Sequence, residues 1–83
     1  MAAILNGTAT NPAADAIASG HNYAAIVFRA EGGDIVFNID ATAAVGAGEV
    51  VKADTAATIN DLNGRRLSVF ATAPTTYSIR EAL

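Results

Sequence analysis

The chain has 83 residues, a formal net charge of −3, no Cys, no Trp, one His and one Lys. Disulfides are therefore excluded, a structural zinc site has no thiolate and only His21 to draw on, and five scattered basic residues make no nucleic-acid footprint. No apolar run reaches membrane-spanning length, and Met1-Ala2-Ala3-Ile4-Leu5 lacks the basic start and apolar length of a secretion signal, so synthesis in the cytoplasm without a membrane partner is expected.

The 52% hydrophobic content overstates the core, because about a quarter of the chain is Ala. The large apolar residues are seven Ile, six Val, four Leu, three Phe, two Tyr and Met1. At about 25 cal/mol per Å² these only roughly offset the entropy of ordering the chain. One domain over residues 1–83, stabilised by association with itself or with a larger assembly, is expected.

In chain order, a short strand over Ala3 to Leu5 is closed by Asn6-Gly7. The stretch from Thr8 to Asn22 reads either as a short helix or as an extended arm within 1–22. Asn11 as N-cap, Pro12 at the first helical position and Gly20 beyond the end favour the helix; a single large apolar residue, Ile17, favours the arm. Two alternating runs follow, Tyr23 to Ala30 and Asp34 to Ala41, joined by Gly32-Gly33 as in a β-hairpin. In that register Ala30 faces Ile35, Phe28 faces Phe37 and Ile26 faces Ile39, all on one buried face. Ala25, Val27, Arg29, Val36, Asn38 and Asp40 occupy the other.

The Gly-punctuated stretch from Ala41 to Gly48 reads as a loop, and Glu49 to Ala53 as a strand. A second hairpin joins Ala56–Asn60 to Arg65–Thr72. A two-residue Asn63-Gly64 turn would set Ile59 against Ser68. A three-residue loop over Leu62-Asn63-Gly64, with Gly64 left-handed, pairs Ile59 with Leu67 and Ala57 with Val69, and sets Asp61 against Arg65. The bulged form is preferred, and it leaves Phe70 on the far face. Thr76 to Glu81 closes an all-β, antiparallel sandwich or barrel of six to seven strands.

Candidate chemistry is sparse. His21 is the only imidazole and lies in a loop without a nucleophile beside it. Glu31 and Asp34 flank a turn with too few further oxygens for calcium, and Gly46-Ala47-Gly48 lacks the context of a phosphate loop. No catalytic residue, cofactor or metal is assigned. The candidate interface residues are Phe70, Arg65, Arg66, Tyr23 and Tyr77, since aromatic and Arg side chains are enriched where subunits meet. Tyr23, Phe70 and Tyr77 are also the candidates for a carbohydrate-stacking platform.

Three segments carry a resemblance. Asn11-Pro12-Ala13-Ala14-Asp15 resembles a Thr-Pro-Ser-Asp-like opening turn. Tyr23 to Phe28 followed by Glu31-Gly32-Gly33-Asp34-Ile35-Val36 resembles an Arg-Ala-Leu-Tyr-Val, Gly-Asp-Val hairpin. Leu67 to Thr76 resembles an Arg-Val-x-Ala-Thr-Gly-Thr-Thr closing strand, with Pro74 where that pattern has Gly. The chain is thus similar to small β proteins of tailed-phage and gene-transfer-agent particles, of the head-decoration and head-spike-base type. The resemblance implies a non-enzymatic role on the virion surface, attachment to the major capsid protein and three-fold self-association. A tail or baseplate module and a small carbohydrate-binding module are the competing expectations.

Overall fold

The computed structural model describes residues 3–82. They form eight strands, β1 (Ala3–Ala9), β2 (Ala14–Ile17), β3 (Ile26–Glu31), β4 (Ile35–Ile39), β5 (Glu49–Val51), β6 (Ala56–Ile59), β7 (Leu67–Phe70) and β8 (Thr75–Glu81). One sheet, A, has the order β1-β8-β3-β6, and the other, B, the order β2-β7-β4-β5. Every strand pairing is antiparallel. Two four-stranded sheets in this order make the arrangement of a jelly roll.

The expected β-sandwich is present, with two differences of substance. First, neither expected hairpin forms. β3 and β4 lie in opposite sheets, so the chain crosses from A to B at Gly32-Gly33. A type I′ hairpin turn needs positive φ at both central residues; here only Gly32 has it, at 88°. Phe28 and Phe37 still meet, but across the sandwich, with ring centroids 6.1 Å apart. Likewise Ile59 pairs with Ile26 rather than Leu67, and Leu67 sits between Ile17 and Ile39. The connecting turn is centred on Asn63 and Gly64, both at positive φ, and is closed by Arg65 N–H donating to Leu62 O at 2.9 Å. Asp61 and Arg65 do form an ion pair, at 3.3 Å, but within this loop.

Second, Ala14–Ile17 is a strand, and the described residues contain no helix. β2 buries Ile17 against Leu67 and gains ladder hydrogen bonds from β7, whereas a short helix with one large apolar residue has little else to bury. The turn before it contains a cis Asn11-Pro12 peptide. Of the two readings of this segment the helix is overturned, and the extended chain is present as two strands paired into the sheets; residues 1–2 lie outside the described residues.

The faces read from alternation hold. Ile26, Phe28, Ala30, Ile35 and Phe37 are buried, and Ile39 is half-buried. The core adds Ile17, Val51, Ile59, Leu67, Val69, Tyr77 and Ile79, with loop residue Leu62 as a plug. Tyr77 stacks on Phe28 at 5.2 Å. It lies opposite Gly7, where a Cβ would stand 2.5 Å from the Tyr77 hydroxyl.

Candidate interaction surface

The outer face of sheet B carries the apolar residues that the core does not use. Cross-strand register aligns Phe70, Val36 and Val50 in one row over β7, β4 and β5. Directly opposed residues share a face, so all three point away from the core. Phe70 lies low in this row, at 9% exposure, whereas Val50 is 54% exposed.

The connection over residues 40–48 folds onto the same face. Ala43 is buried, and its N–H donates to the hydroxyl of buried Ser68 at 3.0 Å. Ala44 and Ala47 bridge each other, which holds Val45 at the tip, 74% exposed. Gly48 lets the chain return, since a Cβ there would stand 2.3 Å from Phe37 O and its φ is 132°. Val36, Val45, Val50 and Phe70, with Ala71 and Thr72, line a shallow pocket of about 280 Å³.

Asp34 and Lys52 also line this pocket and pair at 3.4 Å. Asp34 accepts the Ala53 N–H at 2.8 Å. That backbone hydrogen bond, with help from Lys52, holds its carboxyl below the ordinary aspartate range. The surface is thus an apolar patch bordered by one exposed ion pair.

The five candidate interface residues do not converge. Phe70 forms the floor of the sheet B pocket. Arg66 precedes β7 at its other end, roughly 13 Å away along the strand, and pairs with Asp15 at 3.0 Å. Arg65 is held by Asp61, and its carbonyl accepts from His21 Nε2 at 2.8 Å. His21 Nδ1 accepts the Tyr23 N–H at 2.9 Å, which leaves Nε2 as the nitrogen facing Arg65 O. Tyr23, stacked on His21 at 5.3 Å, belongs to this loop cluster and borders a second cavity of about 440 Å³ with Asn22 and Glu81. Tyr77 is a core residue at 6% exposure, and burial pushes its phenol up from the usual value.

The exposed members of the patch, Val45 and Val50, are not among those five. Val45 is the one branched apolar residue between Ala41 and Gly48, and that isolation is the signal available in the sequence. Among the described residues, no group of three His, Asp or Glu side chains is placed to hold a metal ion. No family model, curated protein or solved structure matches the chain.

Proposed function

We propose that this chain is a non-enzymatic structural protein of a phage-type particle, docked on the virion surface through the outer face of sheet B. The partner in this reading is the major capsid protein. The observation that carries it is the apolar patch made by the Phe70–Val36–Val50 row of sheet B together with Val45 of the 40–48 loop. Val45 and Val50 are the exposed large apolar side chains among the described residues, and both fall on this face, which favours it as the contact. Jelly-roll strand order, which recurs in viral capsid domains, supports the reading by analogy alone.

The mechanism is mechanical. Burying the exposed parts of Val45 and Val50 is worth roughly 2–4 kcal/mol per copy. That free energy exists only in the assembled shell, so it stabilises the assembled state by mass action. The same chemistry serves a tail or baseplate module, and particle fractionation separates the two.

The test is peptide mass spectrometry on density-gradient fractions of particles from a culture producing the chain. The chain should band with heads, and Val45→Asp combined with Val50→Asp should remove it from that band while its melt is unchanged. Banding with isolated tails would select the baseplate reading. Recovery of the parent chain only at the top of the gradient would reject both.

A further inference from the structure

A β-sandwich has four edge strands, and exposed edges are sites of unwanted pairing unless they are blunted. Three of the four here are blunted. β1 shifts register between Ala3 and Leu5, and β2 does so between Asp15 and Ile17. β2 also carries the Asp15–Arg66 ion pair. β5 has three residues, and Glu49, exposed at the rim opposite Phe37, adds a charge to that edge.

Within β6 itself none of these devices occurs; a bulge that sets Asp54 and Thr55 together against Ala30 lies just before it. Ala56-Ala57-Thr58-Ile59 contains no charge, Gly or Pro, and its register with β3 is unbroken from Arg29↔Ala56 to Ile26↔Ile59. Its outward backbone groups can be assigned. Ala30 N–H donates to Thr55 O at 3.1 Å, and Asp54 N–H donates to Ala30 O at 2.9 Å. Alternation then makes Phe28–Ala57 and Ile26–Ile59 the hydrogen-bonded pairs. The N–H and C=O of Ala56 and Thr58 therefore point away from β3, and both residues are exposed.

From this we infer that the β6 edges of two copies of the chain pair antiparallel about a two-fold axis at Ala57. That register sets Ala56 of one copy opposite Thr58 of the other, twice, and each such pair exchanges two hydrogen bonds. The strand is self-complementary because its side chains are small and neutral. The flanking carboxylates are turned to their own chain. Asp54 accepts from Gly32 N–H at 3.2 Å, and Asp61 pairs with Arg65. A foreign peptide is a poorer occupant. Strand addition takes its specificity from pockets for alternate side chains, and neither cavity described above is lined by β6 residues.

The contact is isologous and closes as a dimer, in contrast to the three-fold association that the phage resemblance implies. It does not rest on the shell reading. Its small size places it among weak, concentration-dependent interfaces.

The experiment is amide hydrogen exchange by NMR, with sedimentation, from micromolar to millimolar concentration. Protection at Ala56 and Thr58 should rise with concentration while Ala57 and Ile59 stay protected throughout. The sedimenting mass should approach twice the 8.4 kDa chain mass. Thr58→Pro removes an outward N–H without breaking a ladder bond, so it should raise the dissociation constant at least about tenfold. Thr58→Lys, which keeps the backbone and adds a charge at the edge, should do the same. The inference is overturned if Ala56 and Thr58 exchange freely at millimolar concentration, if the mass approaches three chains, or if both variants associate as the parent does.

Discussion

Gly7→Ala isolates one packing contact with little else changed. Gly7 lies in β1 opposite Tyr77, and its backbone is not in the left-handed region that favours glycine. An Ala there should by itself stabilise by about 0.4–1 kcal/mol, through a less flexible unfolded chain. The structure reverses the sign. The added methyl would stand 2.5 Å from the Tyr77 hydroxyl and 2.6 Å from Cζ. The ring cannot yield freely, because it stacks on Phe28 at 5.2 Å and is 6% exposed. Overpacking of this kind costs about 1–3 kcal/mol, so the net effect is a loss of roughly 0.5–2 kcal/mol. Urea titration of parent, Gly7→Ala, Tyr77→Val and the double variant measures it. Adding Gly7→Ala to Tyr77→Val should cost nothing or stabilise, giving a coupling of at least about 1 kcal/mol. A Gly7→Ala variant as stable as the parent, with no coupling, would show that the Tyr77 ring does not cross β1.

Phe28→Ala should destabilise by about 3–5 kcal/mol, since Phe28 is fully buried between Phe37 and Tyr77. Val36→Thr, on the outer face of sheet B, should cost far less in the same titration. Gly48→Ala should lower the melting temperature by more than a Gly46→Ala control, because both have positive φ but only at Gly48 of the two would the added Cβ meet backbone, at Phe37 O. Asp34→Asn should show its effect only away from acid. A carboxyl lowered in the folded state contributes stability that is full above the ordinary aspartate range and is lost as pH falls through the lowered value. The difference in melting temperature between parent and Asp34→Asn should therefore shrink as neutral solutions are acidified, and a constant gap would refute the Ala53 hydrogen bond as its source.

What the sequence makes legible is which side of β3 and β4 faces the core. Alternation at 26, 28 and 30 and at 35 and 37 is a property of each strand alone, and it identified the buried face. Strand neighbours are a property of pairs, and alternation is silent on them. A run that buries one face fits a hairpin within one sheet or a corner between two sheets equally well. The deciding detail was φ at Gly33, which is not positive, together with Thr75 standing 3.1 Å from where its Cβ would be. The helix signals over 11–20 misled for a related reason. Gly20 does adopt positive φ, but in a turn whose N–H donates to Gly64 O at 2.9 Å, not at a helix end. The surface was harder still. Phe70 does lie on the face opposite Val69, yet it is nearly covered, and of the exposed residues above it Val45 comes from a loop whose path is set by contacts distant in sequence, Ala43 to Ser68 and Asp40 to Arg66.

The Ala-rich composition links the interior to the two proposed contacts. Ala9, Ala30 and Ala71 are buried where larger side chains would part the strands. Ala56 and Ala57 leave the β6 backbone uncovered, while Ala43 and Ala44 let the 40–48 loop lie close on sheet B. Small residues give close approach but little burial, so each copy gains less apolar stabilisation than its length allows. The topology adds to this cost. Only β4 and β5 are both consecutive and paired, and β1 pairs with β8 at the far end of the chain. Nearly every pairing therefore requires closing a long loop before any contact offsets the lost entropy. A domain built this way is slow to form and modest in stability alone, and each contact that recognises only the folded state deepens it by mass action. The β6 edge and the sheet B patch belong to different sheets, so a copy paired through one still presents the other.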